Sequence, residues 1–167
     1  MSNYAHPKHF VVILQIGFLC LLQLGSYGQN KSVSKSKNTF KMQRTIIYTP
    51  DAPKPIGPYS QAVLVNGTLF VSGQIAIYPE SGEMVQTNIS VETKQVMRNI
   101  EAILKAAGMS FAHVVKCSIF ISDMNDFAAI NEVYATYFPN NPPARETVQV
   151  SKLPKGANVE ISLIAVK

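Results

Sequence analysis

The chain has 167 residues, with 15 Lys+Arg against 10 Asp+Glu and a formal net charge of +5, a size that suits one domain and a preceding segment. The excess sits at one end: Lys8, Lys31, Lys35, Lys37 and Lys41 precede Met42 in a stretch with no acidic residue, and the rest is neutral. A neutral domain lacks the clustered cations of a nucleic-acid footprint. Cys117 and His113 are its only cysteine and histidine, which excludes a disulfide framework, a structural zinc site and a Ser-His-Asp triad.

Phe10 to Leu24 is an apolar run that follows Lys8 and precedes Gly25-Ser-Tyr-Gly28. This is the basic, hydrophobic and small-residue order of a secretory signal, with a cut after Gly28. The run is short for a bilayer and is interrupted by Gln15 and Gln23, so no stable membrane span is expected. The expected organisation is a signal peptide over 1–28, a disordered Ser- and Lys-rich linker over 29–43 and a folded domain over 44–167. Such a chain is exported, to a periplasm or the exterior. Translation from Met42 is the alternative and would leave the same domain in the cytoplasm.

Thr45 to Tyr48 opens the domain as a short strand. Pro50 to Pro58 is neither helix nor central strand, because its prolines lack donors and fix φ, and it delivers Tyr59-Ser-Gln61. Ala62 to Val65, Asn66-Gly67 and Thr68 to Ser72 form a hairpin around a type I′ turn. Gly73 marks a bulge or a close backbone approach. A helix is expected over about 91–107, capped by Ser90 and stopped by Gly108, with Val96, Ile100, Ile103, Leu104 and Ala107 on its apolar face. Val114 to Ile121 is a strand. Asp123 or Asn125 then caps a second helix with Phe127, Ile130, Tyr134 and Tyr137 as its stripe, ended by Pro139.

Val148 and Val150 alternate with polar neighbours as in a strand, and Leu153 to Asn158 reads as a turn. In the last strand Val159, Ile161, Leu163 and Ala165 take one face, and Glu160, Ser162, Ile164 and Val166 the other. Both faces are apolar in its distal half, which places it inside a sheet. If the last two strands form a hairpin about Pro154-Lys155, Glu160 falls opposite Gln149, roughly 13 Å along the ladder from Arg145. The two would then flank a small ligand; the alternative is a pocket shared by neighbouring subunits. The order β-β-β-α-β-α-β-β gives an α+β domain, a single mixed sheet with two helices on one face. Its other face should be covered by copies of the same chain.

Six groups could carry chemistry, and each has a plainer reading. Arg145 offers a five-donor fork for a carboxylate, or pairs with a local acid such as Glu146. Glu160 manages a proton or is a half-wet carboxylate. Tyr59 donates to a ligand or packs on its own prolines. Asn131 faces a cleft or solvent. Cys117 reads as a small buried hydrophobe, and His113 as structural or solvated.

Ile56-Gly-Pro-Tyr-Ser-Gln61, Ser72-Gly-Gln74, Asn125-Asp-Phe127 with Asn131-Glu-Val-Tyr134, and Pro143-Ala-Arg145 through Leu153-Pro-Lys-Gly156 to Val159-Glu-Ile161 closely resemble the Rid (RidA/YjgF) enamine/imine deaminases. The resemblance runs from about Arg44 to Lys167. It implies a chorismate-mutase-like α+β fold and a homotrimer with active sites at subunit clefts. It also implies cofactor-free, metal-free hydrolysis of 2-imino acids, such as 2-iminobutanoate and 2-iminopropanoate, to 2-keto acids and ammonia. By position, Arg145 would hold the substrate carboxylate and Glu160 would position the attacking water. Tyr59, Ser72, Gly73 and Asn131 would line the pocket, with Thr147 where some members carry a cysteine. Glu146 departs from the small or neutral residues usual there and would compete for Arg145. A trimer of the same fold that binds a small ligand or protects against stress without turnover is the alternative.

Overall fold

A computed structural model describes residues 43–167. The signal peptide expected over 1–28, and nearly all of the linker expected over 29–43, lie outside the described residues. Among the described residues no helix is long and apolar enough to cross a membrane.

The elements are β1 (Arg44–Ile47), β2 (Ala62–Val65), β3 (Thr68–Gln74), α1 (Ile89–Ala106), β4 (Val114–Ile121), α2 (Phe127–Ala135), β5 (Ala144–Gln149) and β6 (Val159–Val166). They build one six-stranded sheet in the order β1-β2-β3-β6-β4-β5. The β2–β3 turn is as expected: Asn66 and Gly67 have φ of 48° and 80°, the two positive values that a type I′ turn demands. At α1 the cap is Asn88 rather than Ser90. Its side chain accepts from Val91 N at 3.0 Å, so the helix starts earlier than expected. Gly108, at φ 68°, follows the helix end, and Met109 N returns to Leu104 O at 2.9 Å. Before α2, Asp123 caps a short 3₁₀ turn by accepting from Asn125 N at 2.9 Å.

The expected hairpin of the last two strands does not form. β6 lies between β3 and β4, antiparallel to both, and β5 runs parallel to β4 at the sheet edge. Burial decides this. β6 is apolar on both sides in its distal half and gains a partner along each edge, whereas β5 exposes Arg145, Val148 and Gln149 and tolerates an edge. The parallel β4–β5 pair needs a crossover, which α2 supplies. What resembled a hairpin turn is a 3₁₀ turn, Pro154–Gly156, with Lys155 at φ 54°.

Both helices pack on one face of the sheet, where Leu69, Met97, Ile100, Ile103, Ile119 and Ile161 are wholly buried. Each such side chain contributes about 1.5–3 kcal/mol. The other face is open and carries Ile46, Val63, Phe70 and Ile164 in one row across the strands. Ile46 and Phe70 are about half exposed.

Three buried polar side chains fasten loops to this frame. Gln61 accepts from Thr49 N at 2.7 Å, and its amide donates to the carbonyls of Thr49, Ala52 and Pro53 at 3.0, 3.1 and 3.0 Å. The proline loop cannot pair its own backbone, so Gln61 does this for it. Asn99 donates to the carbonyls of Ile75 and Ile77. Glu92, fully buried in the first turns of α1, accepts from Asn158 N at 2.7 Å and Asn158 Nδ2 at 2.9 Å. Asn158 also joins Ser122 at the end of β4. This clamp sits just ahead of Glu160. Glu92→Ala removes both acceptors and should lower stability by about 2–4 kcal/mol in urea unfolding. A loss under ~0.5 kcal/mol would show that the clamp contributes nothing.

Candidate active site

β3 loses register with β6 between Val71 and Gln74, and the irregularity brings Ser72 and Gly73 against β6. Ser72 N donates to Gln61 O at 3.0 Å and Ser72 Oγ to Ser60 O at 2.7 Å, which ties this bulge to the Tyr59 loop. Gln74 Nε2 donates to the carbonyls of Ser72 and Gly73. Gly73 leaves room for Glu160: a Cβ there would overlap the carboxylate, lying 2.7 Å from Cδ, and the glutamate side chain would have to swing away. The carboxylate thus occupies the place of a missing side chain.

Tyr59, Ser72, Gly73 and Glu160, together with Ile56 and Ile75, line a cavity of ≈ 250 Å³. The Tyr59 hydroxyl accepts from Ile56 N at 3.2 Å, so the loop folds back on itself. Burial pushes the Glu160 carboxyl above the usual carboxylate range. A carboxylate in this state binds a proton more readily near neutral pH.

Arg145 belongs to a second concavity, with Asn131, Tyr134, Phe138 and Pro143. Its Nη1 donates to Asn131 Oδ1 at 2.7 Å. The guanidinium carbon stands 4.9 Å from the Tyr134 ring centroid and 5.9 Å from that of Phe127. Thr147 pairs with buried Ile119 and so shares the Arg145 face; its Oγ1 is buried without a hydrogen-bond partner. The Tyr134 hydroxyl faces the Cys117 thiol but makes no hydrogen bond of proper geometry. Burial raises the pKa of both groups. Cys117, fully buried, behaves as the small hydrophobe expected. His113 is structural: its Nδ1 accepts from Ser110 N at 3.1 Å.

Two expectations fail for one reason, the alternation of side chains along a strand. Arg145 is level with Cys117 on β4, and Cys117 with Leu163 on β6, so all three share the helix-covered face. Glu160 is an odd number of residues from Leu163 and lies on the open face. Within one chain, therefore, Arg145 and Glu160 do not flank a common ligand. Glu146 also points to the open face, where it bonds Lys116 Nζ and Ser118 Oγ across β4. It does not compete for Arg145.

The candidate residues thus form two sets. Tyr59, Ser72, Gly73 and Glu160 meet on one face; Asn131, Arg145 and Thr147 meet on the other. Tyr134 was missed as part of the second set because it fits the apolar stripe of α2. Its spacing from Asn131 was the available signal, since residues three apart share a helix face. Among the described residues no group of three or more His, Cys, Asp and Glu could hold a metal.

The family model described as Endoribonuclease L-PSP matches residues 49–167. Protein DfrA of Myxococcus xanthus is 52% identical over 128 residues, 75% of this chain and 98% of that protein. The 2-iminobutanoate/2-iminopropanoate deaminase of Rattus norvegicus is 51% identical over 124 residues, 74% of this chain and 90% of that one. Among solved structures, E. coli TdcF with bound serine is 42% identical, with a TM-score of 0.71, over 74% of this chain and 98% of that one. The fold is the chorismate-mutase-like α+β fold of these structural neighbours.

The Gly73–Glu160 contact can be tested by a double-mutant cycle. Gly73→Ala alone should destabilise by about 1–3 kcal/mol, because the carboxylate must move. Combined with Glu160→Ala, most of that loss should vanish, giving a coupling of about 1 kcal/mol or more in urea unfolding. Additive effects would place the carboxylate elsewhere.

Proposed function

The chain belongs to the Rid (YjgF/endoribonuclease L-PSP) family, and we propose that it hydrolyses reactive 2-imino acids to 2-keto acids and ammonia. The observation that carries this is the division of labour across the sheet. A carboxylate-binding fork lies on one face and a proton-handling carboxylate on the other, so a complete site needs Arg145 of one copy and Glu160 of another. The open face, with Ile46, Phe70, Val148 and Val166 exposed, suits burial by further copies in a homotrimer. The rat relative's name supplies the substrate class.

Arg145 has donors left beyond its bond to Asn131, enough to grip a carboxylate bidentately. That grip presents C2 of the imino acid, with Asn131 and Thr147 beside it. From the adjoining copy Glu160 orients a water, with Tyr59, Ser72 and Gly73 around it. The iminium carbon is already electrophilic, so orientation and one proton acceptor suffice. Water oxygen bonds to C2 as the C=N π pair moves to nitrogen, and Glu160 takes the water proton. Glu160 then returns that proton to nitrogen. The C–N bond breaks, ammonia leaves, and the remaining hydroxyl becomes the keto oxygen as it gives its proton to Glu160, which passes it on to the ammonia as ammonium. RNA cleavage fits less well: His113, the one described histidine, is engaged with Ser110, and the domain is neutral.

Keto-acid formation from 2-iminobutanoate, generated in situ and measured above the spontaneous rate, tests this. Arg145→Lys keeps the charge but loses the fork and should lower kcat/KM by one to several decades, and Glu160→Gln should cost ~10²-fold or more. Glu146→Ala should leave apparent affinity unchanged. Keto-acid formation by the wild type no faster than the spontaneous rate would refute the reaction, wild-type rates in both Arg145→Lys and Glu160→Gln would refute the assigned site, and light scattering at monomer mass would refute the assembly. The raised Glu160 pKa adds a pH signature. The acid limb of kcat/KM should lie above the usual carboxylate range. Stability contributed by protonated Glu160 is present at acid pH and lost as pH rises through its raised folded value. Glu160→Gln should therefore stabilise the protein at neutral pH and give no gain in acid.

A further inference from the structure

A planar guanidinium on a flexible stem binds a carboxylate well only if its plane is set beforehand. The hydrogen bond to Asn131 fixes one edge of the Arg145 group but leaves rotation about that contact. The second constraint is the face of Tyr134, 4.9 Å below the guanidinium carbon. That ring is itself held fast. Tyr134 is 5% exposed and packs on Phe138, with ring centroids 4.7 Å apart; Phe138 in turn meets Phe111 edge-on at 5.3 Å. The Tyr134 hydroxyl makes no hydrogen bond, so its contact with Arg145 is through the ring alone.

We propose that Tyr134 is the positioning residue of the carboxylate site: its ring sets the plane of Arg145, while Asn131 sets the orientation within that plane. The inference rests on Arg145 being the carboxylate ligand. Stacking on a ring that is immobile in the core prepays the ordering of a long side chain at the sheet edge. It leaves the outer donors of the fork free. An aliphatic residue of similar bulk would fill the core but offer no electronegative face to the cation.

The test uses the full domain in its native assembly. 2-Oxobutanoate, the product keto acid, serves as the binding probe by calorimetry, and 2-iminobutanoate generated in situ serves for kinetics. Tyr134→Phe keeps the ring and should bind within about twofold of wild type. Tyr134→Leu should raise Kd and KM in parallel, on the order of tenfold, with kcat held within about threefold. Tyr134→Met replaces it if the leucine variant fails to assemble. A general structural role would lower kcat and melting temperature without this split, and would be restored no better by phenylalanine. Wild-type binding in the leucine or methionine variant, or equal weakening in the phenylalanine variant, overturns the assignment. Arg145→Lys is the control for the premise. If it too binds 2-oxobutanoate like wild type, Arg145 is not the carboxylate ligand, and the role of Tyr134 falls with it. If binding responds as expected but the wild type releases no ammonia, the positioning role stands and the deaminase activity fails alone.

Discussion

Glu160 has lost part of its water and makes no ion pair among the described residues, so something other than a salt bridge must hold it where it is. The constraint is the place of β6, paired on both edges between β3 and β4. Central pairing fixes which way every β6 side chain points, and it sends Glu160 to the open face. There the irregularity of β3 presents Gly73, whose missing Cβ leaves room for the carboxylate. The Glu92–Asn158 clamp fixes the start of β6, and Gln61 fixes the loop that brings Tyr59. The geometry around Glu160 is held largely by buried amides and by space, with little help from ion pairs.

The same alternation puts the arginine out of reach. β5 is an edge strand in parallel register with β4, so Arg145 joins the row of Cys117 and Leu163 under α2. The helix then supplies what the strand cannot, an acceptor in Asn131 and a ring in Tyr134. On the proposed reading, a single copy holds two incomplete sites on opposite faces of the sheet. The proposed self-association would therefore serve the chemistry as well as the burial of Phe70 and Ile46. Lys116, Ser118 and Glu146 form a polar cluster on that open face, away from Arg145.

Much of the fold was legible because its signals are local. Asn66-Gly67 forces positive φ at consecutive residues, β4 has the expected ends, and the two-sided apolar pattern of β6 marks an interior strand. Strand pairing was not legible, since Leu153-Pro-Lys-Gly156 suits a hairpin or a crossover equally. The face of Arg145 was hidden too: the Val148 and Val150 alternation sets it opposite those valines, but β5 is exposed on both sides, so the pattern does not tell which face the helices cover. Glu92, Asn99 and Gln61 would be taken for surface residues by type. Their burial depends on loops that arrive from far along the chain.

The central claim is that the reacting groups come from different copies, and subunit mixing tests it most directly. Arg145→Ala and Glu160→Gln chains, each inactive alone, are unfolded together in equal amounts and allowed to reassemble, with mixed trimers verified by native mass spectrometry. In a cyclic trimer with one site per junction, random mixing leaves both groups intact at about a quarter of the sites. Imine hydrolysis should return to about a quarter of the wild-type rate per chain. Mixed trimers that remain as inactive as their parents would place both groups in one copy and contradict the account.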